Sequence, residues 1–327
     1  MNRHLMAILV LAAIVTITAS LMIGSVPLGF ERVISAMAGQ GLPGDRIVVW
    51  QIRLPRALAA AMVGAALGMS GAALQGLLRN PLAEPGVLGV SATAALCATF
   101  TLSFGWATAH PFALPVATIV GALGATLLVG FAALRTQSAA TLILIGVGLS
   151  SFSGALMALL MNLAPNPFSL ADMVNWMLGT VANRSFGDIG FVLPFMAAGV
   201  ALLLAARRGL AALALGEEAA QGIGLDLKRQ RVLVILGTGL ASGAAVALAG
   251  AIGFVGIVAP HILRPLVRGN PASLLLPSAA LGAIILVVAD TGVRLIPTDS
   301  ELKLGVVAAL FGAPVFIWII SRHRQVT

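Results

Sequence analysis

The chain has 327 residues, 59% of them hydrophobic and only 9% charged, with Lys and Arg outnumbering Asp and Glu by 19 to 11. A soluble domain carries about 25% charged residues, so an ordinary soluble fold is excluded and a polytopic membrane protein is indicated. The net charge of +8 then marks loops on one side of a membrane, not a nucleic-acid surface.

A spanning helix needs about 20 apolar residues. The first candidate is residues 5–24, free of charge and longer than the core of a signal peptide. An amphipathic connection, 25–52, leads to a second span near 57–78. Further spans are expected near 87–105, 112–134, 139–161 and 190–206. Cys97, the single cysteine, falls in one of them and excludes an internal disulfide. The connection 162–189 is longer, and LADMVNWMLGT within it reads as a short helix on the surface.

The pattern then breaks. Residues 207–231 hold Arg207, Arg208, Glu217, Glu218, Asp226, Lys228, Arg229 and Arg231, against a background almost free of charge. This stretch reads as the surface where a membrane protein meets a soluble partner. A turn at Gly222–Gly224 is expected to divide it into two short helices. Spans follow near 232–251, 272–293 and 302–320. The intervening 252–263, with Pro260 and His261, suits a short or re-entrant segment as well as a crossing.

Charge placement chooses between these readings. With a cytoplasmic N-terminus and ten crossings, twelve Lys and Arg lie inside and seven outside. Without the crossing at 252–263, Arg322 and Arg324 move outside and the asymmetry nearly vanishes. Ten spans with both ends cytoplasmic is the expected topology of one transmembrane domain over 1–327. A faint repeat at an offset of 175 pairs Arg56 with Arg231, Gly64 with Gly239, Gly68 with Gly243 and Pro85 with Pro260. It would be an inverted repeat of the transporter kind.

Neither lysine sits in a phosphate-binding G-x-x-x-x-G-K-[ST] loop, so any ATPase must be another polypeptide. No His/Cys cluster or paired carboxylates offer a metal or acid–base site. Gly68-Met69-Ser70-Gly71 spells the G-x-S-G of intramembrane serine proteases, a short match in a Gly/Ala/Ser-rich helix. The two arginines of RLPR, Arg53 and Arg56, stand at an outer end against the positive-inside bias. They read either as basic helix anchors or as a docking site for an acidic partner. Asp290, four residues before Arg294, offers an intrahelical pair. Ser150, Ser151 and Ser153 lie mid-helix, where they could line a path or bond across helices.

RLPR at 53–56, followed by GAALGMSGAALQGLLRNPLAEPGVLG at 64–89, resembles the FecCD-type permeases of ABC importers for iron-siderophores, haem and cobalamin. GFVGIVAPHILRPLVRG at 253–269, AD-x-x-x-R at 289–294 and the closing GAPVFIWII extend the likeness in order over nearly the whole chain. The resemblance implies an all-α fold of about ten transmembrane helices, that of the cobalamin/iron-siderophore importer permeases. It implies a homodimer in a bacterial inner membrane, with ATP and Mg on a partner ATPase subunit and no cofactor or metal in this chain. It further implies a periplasmic or surface substrate-binding protein.

By position, Glu217, Glu218, Ala219, Ala220, Gly222 and Gly224 resemble the ATPase-coupling loop. Arg53, Arg56 and Arg294 match arginines that meet the binding protein. Asn80 and Leu82, with Thr136, Gln137 and Ser138 opposite, match the cytoplasmic gate. Ser150, Ser151 and Ser153 become candidates for the lining of the path. Iron-siderophore is the expected substrate, with haem, cobalamin or an ion-coupled secondary transporter as alternatives. Lys303 stands where the family has proline, removing a rigid start to the last helix and adding an outer positive charge.

Overall fold

Hydrocarbon offers no water to backbone amides, so an oily chain bonds them within helices. A computed structural model describes residues 3–24, 26–136, 138–267, 269–296 and 301–323, with no strand among them. Its helices are α1 (Arg3–Met22), α2 (Phe30–Met37), α3 (Pro43–Ile47), α4 (Leu54–Leu78), α5 (Val90–Ser103), α6 (Trp106–Ala109), α7 (Ala113–Arg135) and α8 (Ala139–Asn162). There follow α9 (Pro167–Met177), α10 (Phe186–Ala205), α11 (Arg207–Leu213), α12 (Glu217–Gly222), α13 (Leu227–Ala249), α14 (Val255–Leu263), α15 (Pro271–Val293) and α16 (Leu304–His323). By length and composition, seven stretches among the described residues can cross a membrane, and α5 and the Leu304–Val315 part of α16 are shorter apolar helices.

The second span starts earlier than hydropathy alone suggests. It runs continuously over Pro43–Leu78, because α3 passes into α4 through a π-helical turn at Val48–Arg53. Pro55 has no N–H to give the carbonyl four residues back. The turn widens there, and Leu54 N–H bonds Val49 O, five residues back.

α4 and α13 form the centre, each 78% buried over its apolar window against 22% for α8. Glycines set the helix separations. A Cβ on Gly64 would lie 2.1 Å from Gly282 O, and one on Gly68 2.2 Å from Ser278 O, so α4 and α15 touch backbone to backbone. On α13, Gly239 and Gly243 instead make room for the side chains of Thr126 and Ala122 of α7. Large apolar side chains stay exposed on the outer helices, among them Leu11, Leu127, Phe152 and Phe311. In lipid such a belt is the ordinary outer surface.

Gly76, near the end of α4, packs on Pro271 at the start of α15 and on Leu210 of α11. Gln230, early in α13, donates from Nε2 to Ala206 O at 2.8 Å. The end of α4 and the starts of α13 and α15 therefore share one face of the bundle with residues 207–231. α4 and α13 run antiparallel. The positions paired at an offset of 175 do matching work in these two helices: Arg56 and Arg231 each form an ion pair, and the glycines receive a neighbouring helix.

Since α13 and α15 both start on that face, the chain between them must return to it. α14 has nine residues, about 13 Å of helix against roughly 30 Å of hydrocarbon. The crossing at 250–263 is thus half irregular chain and half helix. Gly250 (φ 73°) and Phe254 (φ 67°) make the bends. A second half-element meets it. The chain after α4 turns back inward through a 3₁₀ turn at Pro85–Leu88, where Glu84 Oε2 accepts from Phe254 N–H at 3.3 Å. α16 begins without the family's proline, its first turn closed by Lys303 O accepting from Val306 and Val307 N–H.

Candidate functional site

Charge collects at the two ends of the bundle, in opposite arrangements. At the far end from residues 207–231, three arginines turn inward. Arg56 holds both carboxylate oxygens of Asp290 through Nε and Nη2, at 2.7–3.0 Å, and also pairs with Glu301. Arg53 donates from Nη1 to Leu21 O and Met22 O at 2.8 and 3.1 Å, and from Nη2 to Val26 O. Arg294 donates to Ser20 O and Ile23 O at 3.1 and 3.0 Å, and its Nε lies 3.3 Å from Asp290 Oδ2.

The last carbonyls of a helix lack intrahelical donors and carry partial negative charge. Arg53 and Arg294 supply those donors to α1, while Arg56 locks α4 to α15. Asp290 is a structural partner, but its main cation is Arg56, 234 positions away, with intrahelical Arg294 second. Glu301, two-fifths exposed at 38%, is the outermost member. Spacing could not single it out, because its partner lies on another helix.

At the other end, residues 207–231 fold as α11, α12 and the start of α13. The division between α11 and α12 differs from the expected turn at Gly222–Gly224. It falls at Ala214–Gly216, where Gly216 adopts φ 104°, and Gly222 is the last residue of α12. Gly224 (φ 88°) ends the pair and aims the chain into α13. Both glycines sit where a left-handed backbone is required, which disfavours any Cβ.

Glu217 points inward, its carboxylate 3.1 Å from Arg231 Nη2 through both oxygens. Arg231 also donates to Thr136 O at 3.4 Å, so this residue ties the segment to the α7–α8 turn as well as anchoring α13. Ala220 is buried beneath α12. Glu218, Ala219 and Gly222 face outward, flanked by Leu215 and Ile223, each 68% exposed. Two apolar side chains around an acidic edge form a knob suited to a groove in a soluble protein.

Residues 11–322 match the FecCD transport family. The vitamin B12 import system permease protein BtuC of Vibrio cholerae is 43% identical over 284 residues, covering 86% of this chain and 85% of that protein. An ABC transporter permease protein of Bacillus subtilis, YvrB, is 40% identical, covering 85% of this chain and 80% of that protein. Among solved structures, an inward-facing metal-chelate type ABC transporter superposes with a TM-score of 0.87 at 32% identity, covering 97% of this chain and 98% of that one. The chain belongs to the FecCD transport family.

As a FecCD permease, it places its remaining candidate residues as follows. Asn80 makes a tight turn, Oδ1 accepting from Leu82 N–H at 2.9 Å, which leaves Leu82 exposed. Thr136 Oγ1 accepts from Ser138 N–H at 3.1 Å, and Ser138 Oγ caps α8 by accepting from Thr141 N–H at 3.2 Å. Gln137 lies outside the described residues. The two turns share the face of residues 207–231, and no hydrogen bond joins them among the described residues. Ser153 is buried and its Oγ lies 3.3 Å from Thr93 Oγ1, so it bonds α8 to α5. Ser150 and Ser151 remain on the open side of α8.

The G-x-S-G match has no catalytic setting. Ser70 is fully buried in α4 and its Oγ has no partner among the described residues, so no base among them activates it. Among the described residues, no three His, Cys, Asp or Glu groups could hold a metal ion.

Proposed function

We propose that this permease imports a cobalamin-type metal chelate, as one half of a homodimer driven by two copies of a separate ATPase. The observation that carries the substrate reading is the 43% identity to a vitamin B12 import permease over 86% of the chain. The expectation of an iron-siderophore rests on motifs common to these permeases, and the identity supports the cobalamin alternative instead.

In this reading the face bearing α11 and α12 is cytoplasmic, as are both termini, and the membrane is a bacterial inner membrane. The Glu218 edge with Leu215 and Ile223 sits in the ATPase groove. Movement of that knob pulls on Arg231 through Glu217 and so reaches the Thr136 turn, one half of the gate opposite Asn80 and Leu82. A substrate-binding protein docks at the opposite end.

The test is uptake in cells lacking their own chelate permeases, with the chain expressed alongside its neighbouring ATPase and binding-protein genes. Radiolabelled cyanocobalamin should accumulate and ferric siderophores should not. Accumulation of siderophore alone would overturn the substrate reading. Uptake without the ATPase would overturn the whole scheme.

A further inference from the structure

A cavity of about 200 Å³ opens on the face of residues 207–231 beside α11, between the ends of α4 and α14 and the start of α15. Its polar lining comes from Gln75, Arg79 and Arg264, and its apolar wall includes Leu213 and Pro271. Both guanidinium groups lack a counter-charge: among the described residues neither has a carboxylate within 4 Å.

Arg264 donates from Nη2 to Gln75 Oε1 at 2.6 Å, and Gln75 in turn donates to Gly256 O at 3.3 Å. That chain holds the guanidinium in place and leaves its Nε buried without an acceptor among the described residues. An isolated charge removed from water is costly unless an opposite charge joins it. Burial without a neighbouring acid also lowers the Arg264 pKa from the ordinary arginine value.

Arg79 adds a second sign. It ends α4 in a left-handed conformation, φ 49° and ψ 33°, a position where glycine is the usual residue. A side chain kept where the backbone disfavours one points to work done by that side chain. The first turn of α15 contributes field but no donor, because Asn270 already accepts from Ala272 N–H at 2.9 Å.

We propose that this cavity binds a phosphate group, held between Arg79 and Arg264 at the level of the lipid headgroups. The donors come from two elements and do not form one planar fork, which suits a tetrahedral oxyanion better than a carboxylate. Basic pockets between transmembrane helices are suited to anionic headgroups, and free phosphate offers the same chemistry.

The experiment uses the full chain in neutral detergent at constant ionic strength. Its thermal midpoint is followed while dioctanoyl-phosphatidylglycerol, sodium phosphate or a poly-glutamate peptide is added. Phosphatidylglycerol should stabilise the protein. Arg79→Gln and Arg264→Gln should each raise the half-saturating concentration at least about tenfold, while Arg208→Gln, an exposed arginine on the same face, should leave it unchanged. Arg79→Gln keeps the test valid if Arg264→Gln, which also loses the bond to Gln75, fails to fold.

Equal protection by sodium phosphate would identify the free anion as the source, and protection by the lipid alone would identify the headgroup. Protection by poly-glutamate only would overturn the proposal in favour of an acidic protein partner. An equal loss in Arg208→Gln, or no protection by either phosphate source, would also overturn it.

Discussion

The two ends of this bundle use the same residue type for opposite purposes. Arg53, Arg56 and Arg294 are drawn into the protein and bonded to Asp290 and to the last carbonyls of α1. On the opposite face the charges of residues 207–231 stay mostly at the surface, while the Glu217–Arg231 pair reaches inward. At the first end α1 finishes with carbonyls that need internal donors. Short helices meet at the second, ended by left-handed glycines and free to fit a partner. One end is a fastener and the other a handle.

The contrast is sharpest at Asp290. Asp290→Ala strands Arg56 and Arg294 in the interior and should cost about 3–5 kcal/mol, read as a fall in the thermal midpoint of the purified protein. Glu301→Gln, at the exposed edge of the same cluster, should cost less than about 1 kcal/mol. Equal losses from both would erase the distinction between buried lock and outer edge.

At the handle, Glu217→Ala removes both carboxylate acceptors of Arg231, leaves it with Thr136 O and should cost about 1–2 kcal/mol. Uptake should fall further than stability does, since the tie to the gate turn is cut. A variant with wild-type uptake would mean that the pair is only structural.

Gly224→Ala should cost about as much as the Glu217 substitution. Nothing lies within 4 Å of the added methyl, so the cost is the left-handed backbone alone, roughly 1–2 kcal/mol. The protein should still reach the membrane, with ATP hydrolysis uncoupled from uptake. Unchanged uptake would move the coupling role away from this turn.

Much of this was legible in the chain. Length, oiliness and the distribution of arginines indicate a ten-crossing membrane protein, because hydropathy and charge add residue by residue along a span. The charged stretch at 207–231 stands out for the same reason, and the ordered motifs from RLPR to GAPVFIWII carry the family. The direction of the arginines was not legible. Arg56 reads as an outer charge until the fold brings Asp290 of α15 against it, and no local pattern links residues 234 apart. The half-helix α14 and the cross-helix bond of Ser153 to Thr93 depend likewise on neighbours distant in sequence. The sequence by itself determined which segments enter the membrane and which remain at its surface. Only the tertiary structure decided which charges are consumed inside the protein and which are left for a partner, because pairing depends on distance in space.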